Sequence, residues 1–286
     1  MLRRYFLEVE SARIEILESD GVGSPVFFCH GNSSAAAAFT PILEGELGRR
    51  HRLVAMSFPG HGDSPPAVKP ATTYAIPQLG KVAAGVVRRL DLRSYVLVGH
   101  SLGGHALLEA PDLLHDSLGL MLISAPPLSL GTLVAAFRPD PSNGALFAGS
   151  LGEADAMALA QCFVADPESP VVAELAETIL HTDPAFRPSL LQNLQAGSMC
   201  DEWEALRLLL CPLALLLGAH DRFLHADYFE RVPVNRLWQG QVVRFEKCGH
   251  ALHVEEPASF GRVLSEFIAE ATASAITARK VGEGSA

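Results

Sequence analysis

The stretch from Ser94 to Gly104, Ser-Tyr-Val-Leu-Val-Gly-His-Ser-Leu-Gly-Gly, constrains this chain more than any other. Tyr95 to Val98 is a short apolar run of the kind that forms a buried strand. Gly99-His100-Ser101-Leu102-Gly103 then matches G-x-S-x-G, a sharp strand-to-helix turn that lifts a serine hydroxyl above a sheet edge. Gly99 and Gly103 stand two residues either side of Ser101, where a side chain would crowd the neighbouring strand and helix. The helix expected after the turn aims free N–H groups and its positive dipole end at the serine. That suits a reaction in which negative charge builds up beside the hydroxyl. Glycine and serine are common, so the pattern gains its force from its context and from what the rest of the chain supplies.

A serine hydroxyl needs a base to take its proton, and the base needs an orienting carboxylate. On a sheet with this kind of turn, the partners follow in the order serine, acid, histidine. Here that order is Ser101, Asp221, His250. Each lies just past the end of an expected strand, so the three converge on one sheet edge. His100, in the turn itself, is expected to line the pocket. His30 and His61 are expected to hold backbone, and His220 and His253 fit the role of base less well. Glu255, Asp227 and Asp63 are the rival acids. Ser124-Ala125, after the next strand, cannot supply one. The backbone N–H groups of Asn32 and Leu102 are the expected oxyanion donors, each contributing ~3 kcal/mol to transition-state stabilisation. Gly31 lets the backbone turn tightly beside the site, and with His100 it is expected to border the substrate.

In chain order, Phe6–Val9 and Arg13–Leu17 alternate apolar and polar residues, as two antiparallel strands joined around Glu10-Ser11 would. Ser19 to Pro25 is a turn cluster. Val26–Cys29, Leu53–Ser57, Leu118–Ser124, Leu213–Leu217 and Gln241–Glu246 complete the strand candidates. Ala35–Leu47 is helical in composition, broken or restarted at Pro41, and Gln78–Leu90 carries a helical apolar period. Strands alternating with helices predict an α/β fold with a mostly parallel, doubly wound sheet. Residues 1–126 read as the first part of the core, 127–199 as a helical cap or lid, and 200–270 as the second part of the core. The last helix is expected to end near Glu270, leaving 271–286 as an aperiodic, disordered tail.

Of the 286 residues 49% are hydrophobic, enough for one large domain with an insertion. Leu208 to Ala219 is the most apolar run, but Pro212 interrupts it and it falls short of the ~20 residues of a membrane helix. It reads as a buried helix end followed by a buried strand. Glu8 and Glu10 arrive too early for a signal peptide, so a cytoplasmic location is expected. The five cysteines are scattered and odd in number, which predicts buried free thiols. A net charge of −10 disfavours nucleic acid and anionic membrane as partners. There is no H-x-H-x-D-H run to hold two metals, and the expectation is a reaction without metal or other cofactor.

His30-Gly31-Asn32, Pro59-Gly60-His61-Gly62, Gly99 to Gly104, Asp221 and Gly249-His250 together resemble the α/β-hydrolase superfamily over nearly the whole chain. That resemblance implies the α/β-hydrolase fold and serine-hydrolase chemistry. A narrower set is similar to the metal-independent α/β-hydrolase-type N-acyl-homoserine lactonases. It comprises His30 to Ser34, Leu43 to Gly48, Gly103-Gly104-His105, Gly119-Leu120-Met121 with Pro126-Pro127, and Leu237-Trp238. This implies opening of the lactone ring of bacterial quorum-sensing signals. Three features depart from these patterns. Ser57 replaces the Asp common before the Pro-Gly-His-Gly loop, Asp221 replaces the lactonases' Glu, and no Tyr occurs between Tyr95 and Tyr228. They bear on the substrate more than on the reaction. The leading expectation is therefore hydrolysis of a small neutral ester or lactone. The rivals are a carbon–carbon bond hydrolase or cofactor-free perhydrolase on the same triad, and a non-catalytic ligand receptor.

Overall fold

The computed structural model describes residues 1–129, 131–139 and 141–283. Its centre is an eight-stranded sheet: β1 (Arg3–Val9), β2 (Ala12–Glu18), β3 (Gly23–Cys29), β4 (His51–Met56), β5 (Tyr95–His100), β6 (Ser117–Ile123), β7 (Leu213–Gly218) and β8 (Val243–Phe245). The spatial order is β1-β2-β4-β3-β5-β6-β7-β8. β1 and β2 form an antiparallel pair, with Glu10 and Ser11 both at positive φ in the turn, and β2 is antiparallel to β4. All later pairings are parallel.

The central parallel strands are apolar over most of their length because both sheet faces are covered. Side chains alternate along each strand. Phe27, Leu97, Leu122 and Leu215 join one core, and Phe28, Val98, Met121 and Leu216 join the other. The first core is covered by α1 (Ile76–Arg89) and α2 (Leu102–Leu108), the second by Ala36 to Leu47 and the final helix. Pro41 falls in the first turn of a new short helix, where its missing N–H costs nothing.

Between β6 and β7 the chain is mostly helical, with α3 (Glu153–Cys162), α4 (Val171–His181), α5 (Phe186–Gln195) and α6 (Glu202–Arg207). Leu159, Ile179 and Phe186 from this segment are buried continuously with the first core. Its backbone is also tied to the loops beyond the strands. Ala251 N–H donates to the Phe163 carbonyl at 2.8 Å and Asp183 N–H to the Gly60 carbonyl at 2.8 Å.

Four expectations need correction. β3 begins at Gly23, inside the expected turn cluster. α6 ends at Arg207, and Leu208 and Leu210 are 78% and 67% exposed rather than a buried helix end. Cys200 is exposed, while the other four cysteines are buried as free thiols. Its sulfur is still partly desolvated, and that together with the neighbouring Glu109 pushes the thiol up to about 12, so it is not a reactive thiolate. The last helix, α7 (Pro257–Glu283), runs well past Glu270. Phe260, Leu264, Phe267, Ile268 and Ala271 bury one stripe of its first half. Residues 284–286 of the expected tail lie outside the described residues. Among the described residues no helix is long and apolar enough to cross a membrane.

Candidate active site

Ser101 follows β5 directly and adopts φ 49°, ψ −119°, a backbone conformation that a non-glycine residue rarely takes. Its N–H donates to the Ile123 carbonyl of β6 at 2.8 Å, and its own carbonyl accepts from Gly104 N–H at 2.9 Å. The strain is therefore held from both sides. Ser101 is only half-buried, whereas every residue of β5 is buried.

Asp221 and His250 come from the loops after β7 and β8. Ala219 N–H donates to the Phe245 carbonyl at 3.0 Å and His220 N–H to the Cys248 carbonyl at 2.9 Å, which zips the two loops together. The approach is so close that a Cβ on Gly218 would lie 1.9 Å from the Gly249 oxygen. The result is a buried contact of 2.7 Å between His250 Nδ1 and Asp221 Oδ2. The other carboxylate oxygen accepts from Phe223 N–H at 2.9 Å and Leu224 N–H at 3.2 Å. A carboxylate only accepts, so Nδ1 carries a proton, and in the neutral imidazole Nε2 then holds the lone pair, the tautomer a base requires. Phe163 and Phe223 border the imidazole at 5.6 and 5.0 Å between ring centroids.

His100 links the serine turn to this pair. Its Nε2 donates to the His250 carbonyl at 3.1 Å, and the two rings lie 5.1 Å apart. Gly31 packs against the same ring, and a Cβ there would fall 2.7 Å from His100 Nδ1 and 3.3 Å from Ser101 Cβ. Ser101, His100, Gly31, Asn32, Leu102, Asp221 and His250 are thus gathered at one sheet edge. Leu102 opens α2, where a first-turn N–H has no partner within the helix. Asn32 N–H donates in none of the described hydrogen bonds.

The remaining histidines are placed for structure. His30 donates from Nδ1 to the Gly31 carbonyl and accepts Phe58 N–H on Nε2, and burial pushes its pKa down to about 4. His61 packs its ring 4.2 Å from that of Phe186, and burial holds it well below the usual value. His253 stacks on Phe39 and lies 4.5 Å from His100, and burial takes it down to about 3. Burial also holds His100 well below the usual imidazole value. His220 is exposed. Of the rival acids, Glu255 accepts from Ala165 N–H and Gly249 N–H, Asp63 pairs with Arg4, and Asp227 is exposed.

Glu15 and Arg187 gave no signal in the sequence, and Ser33 stood out only as part of the His30–Ser34 stretch. Buried Glu15 on β2 reaches the place where Ser57 departs from the common pattern. Its Oε2 accepts from the Ser57 hydroxyl at 2.8 Å and from Asp63 N–H at 2.9 Å. A carboxylate from another strand thus braces the Pro-Gly-His-Gly loop. An isolated glutamate in an alternating strand looks like any solvated position, and only the fold buries it.

A narrow pocket beside the site is lined by Asn32, His100 and His253 with Phe163, Leu175 and Ile179, the last three from the helical segment. Larger clefts of about 450 and 500 Å³ lie elsewhere, and Ser101, Asp221 and His250 line none of the three. Among the described residues no group of three or more His, Cys, Asp or Glu is placed to hold a metal ion.

Residues 26–263 match the model of the alpha/beta hydrolase family. The chain belongs to that family, and it is a hydrolase. It is 29% identical to a structure titled as the N-acyl homoserine lactonase AidH complexed with N-butanoyl homoserine. That superposition has a TM-score of 0.89 and covers 94% of this chain and 97% of the other. A structure titled as a putative aryl esterase from Burkholderia cenocepacia has a TM-score of 0.80 at 22% identity, covering 95% of this chain and 100% of that one, and speaks for the fold alone. In sequence, the chain is 24% identical over 90% of its length, and 90% of the relative's, to a protein of Cupriavidus pinatubonensis named 2-hydroxy-6-oxononadienedioate/2-hydroxy-6-oxononatrienedioate hydrolase.

Proposed function

We propose that this hydrolase cleaves a small neutral carboxylic ester or lactone through an acyl-enzyme, with Ser101, His250 and Asp221 as its triad. The observation that carries the reading is the buried 2.7 Å His250–Asp221 pair, held beside the strained serine turn with Nε2 left as a base. Ser101 Oγ attacks the carbonyl carbon while His250 Nε2 takes its proton. The N–H groups of Leu102 and Asn32 hold the oxyanion. His250 then returns the proton to the leaving alkoxide, which in a lactone stays tethered to the acyl group. Water, deprotonated by His250, releases the acid and restores Ser101.

Two observations support a neutral substrate. The described lining of the pocket contains no Lys or Arg, and burial keeps its two histidines, His100 and His253, uncharged. Phe163, Leu175 and Ile179 offer an apolar wall suited to an acyl chain, with residues 127–199 acting as the lid that carries it. The 29% identity to a lactonase structure makes an N-acyl-homoserine lactone the narrowest candidate, and quorum quenching the role it would serve. Carbon–carbon bond hydrolysis is the second reading, favoured by the names of full-length relatives at 24–25% identity.

The test is hydrolysis of a short p-nitrophenyl ester and of an N-acyl-homoserine lactone, each with a chelator and with a serine-reactive phosphonate. Lactone turnover that survives chelator and is lost to phosphonate is expected. Ester turnover without lactone turnover would keep the triad and discard the lactone. Silence on both, with turnover of a dienoate ketone, would favour the second reading.

A further inference from the structure

Arg187 on α5 is 1% exposed, and none of the described ion pairs includes it. A guanidinium buried without a carboxylate in contact has to be satisfied by hydrogen bonds. Nε donates to the Ala148 carbonyl at 2.7 Å and Nη2 to the Gly149 carbonyl at 2.8 Å. Nη1 donates to the Ile179 carbonyl at 3.3 Å and to Ser33 Oγ at 2.9 Å. Three of these bonds fasten the helical segment to itself. The fourth leaves the segment and reaches the loop after β3.

That fourth bond fixes a direction. Arg187 can only donate, so Ser33 Oγ accepts from it, and the hydroxyl's own proton goes to Asn32 Oδ1 at 2.9 Å. The other end of the Asn32 amide, Nδ2, donates to the Leu146 carbonyl at 2.9 Å, three residues before the carbonyl that Nη2 holds. Both ends of the Asn32 side chain are therefore held, one through the Ser33 hydroxyl that Arg187 fixes and the other by the helical segment, while its backbone N–H donates in none of the described hydrogen bonds. Ser33 is buried and sits at φ 57°, a left-handed conformation that costs a non-glycine residue of order 1 kcal/mol. A strained residue persists where its surroundings hold it in place, and here the arginine does so.

We infer that Arg187 is a positioning residue: through the Ser33 hydroxyl and the Asn32 amide it sets the aim of the Asn32 N–H toward the oxyanion. This rests on the reading of Asn32 as an oxyanion donor. It makes the helical segment part of the catalytic frame as well as a cover, because the segment cannot lift at α5 without releasing Asn32. Donors of this kind act through alignment, so misdirecting one that is still present costs rate rather than ground-state binding.

The test uses Ser33→Gly, which removes the relaying hydroxyl and relieves the left-handed backbone at that position. A merely structural serine would leave the kcat of the folded protein alone and show its loss only in the thermal midpoint. The relay predicts a kcat per folded molecule on a p-nitrophenyl ester lower by roughly 10- to 100-fold, with KM within about threefold. Phosphonylation of Ser101, which calls on the same donors, slows in parallel. Arg187→Lys keeps the charge but loses the fork, and it should follow the same kcat-against-KM split where it folds. Wild-type kcat and phosphonylation rate in folded Ser33→Gly would overturn the inference. Wild-type protein that phosphonate does not label at Ser101 would instead overturn the reading beneath it.

Discussion

At the scale of single residues, Ser101 carries two opposed demands. Its conformation at φ 49°, ψ −119° costs of order 1–3 kcal/mol, and it is the conformation that exposes the hydroxyl at the sheet edge. Stability and activity should therefore separate there. Ser101→Ala is expected to fold with nearly unchanged stability and to lose measurable turnover. Ser101→Gly should gain about 1 kcal/mol in denaturant unfolding while being equally inactive. Full activity in either would remove Ser101 from the chemistry. Asp221 acts one step further back. Asp221→Asn keeps the shape but can donate its amide N–H to Nδ1, which favours the tautomer with the proton on Nε2. Steady-state kinetics should show kcat down by roughly 10³–10⁴-fold with little change in KM.

At the scale of elements, the site is a meeting of strand ends, and the narrowest meeting is between β7 and β8. A Cβ on Gly218 would have to displace the backbone oxygens of both Gly249 and Cys248, at 1.9 and 2.5 Å. Gly218→Ala should push the Asp221 loop away from the His250 loop. The expected cost is about 1–3 kcal/mol or more by chemical denaturation, together with a fall in kcat that exceeds the fall in folded fraction. Equal losses of both would mean the 2.7 Å pair survives the shift. The same element-level view explains His105 and Glu202. His105 on α2 meets Glu202 of α6 at 2.8 Å, and Glu202 also accepts Leu128 N–H, so the helix behind the serine is tied to the helical segment.

At the scale of the whole molecule, the buried histidines set the pH range of the fold. Burial holds His30 at about 4, His253 at about 3, and His61 and His100 well below the ordinary 6.5. The unfolded chain takes up these protons as pH drops below 6.5 and the folded chain does not. Stability is therefore lost between about 6.5 and 4, each histidine steepening the fall by ~1.4 kcal/mol per pH unit. His105 runs the other way. Burial works to lower its pKa, but the Glu202 carboxylate outweighs burial and raises it. Its contribution is complete below 6.5 and fades as pH rises through the raised value. A thermal midpoint measured from pH 4 to 9 should show a maximum near neutrality with a steep acid limb. His253→Phe, which keeps a ring against Phe39, should flatten that limb by about one proton. An unchanged acid slope would show that His253 titrates normally.

The amino-acid sequence by itself determined the parallel sheet, the antiparallel entry pair and the order Ser101, Asp221, His250. These follow from local signals: apolar runs of strand length, glycines where the chain must turn, and chemistry-bearing residues just beyond the strands. The helical content of residues 127–199 was also legible, from composition without strand patterning. Other features were decided only by tertiary packing. Glu15 and Arg187 look like surface charges in the sequence, and each becomes structural because elements distant in the chain close over it. Arg187 meets Ser33 across 154 positions and Glu15 meets Ser57 across 42, separations that no local pattern encodes. Leu208 and Leu210 turned outward for the same reason. Burial depends on which surface a neighbour presents, and the chain sets that only once it has folded.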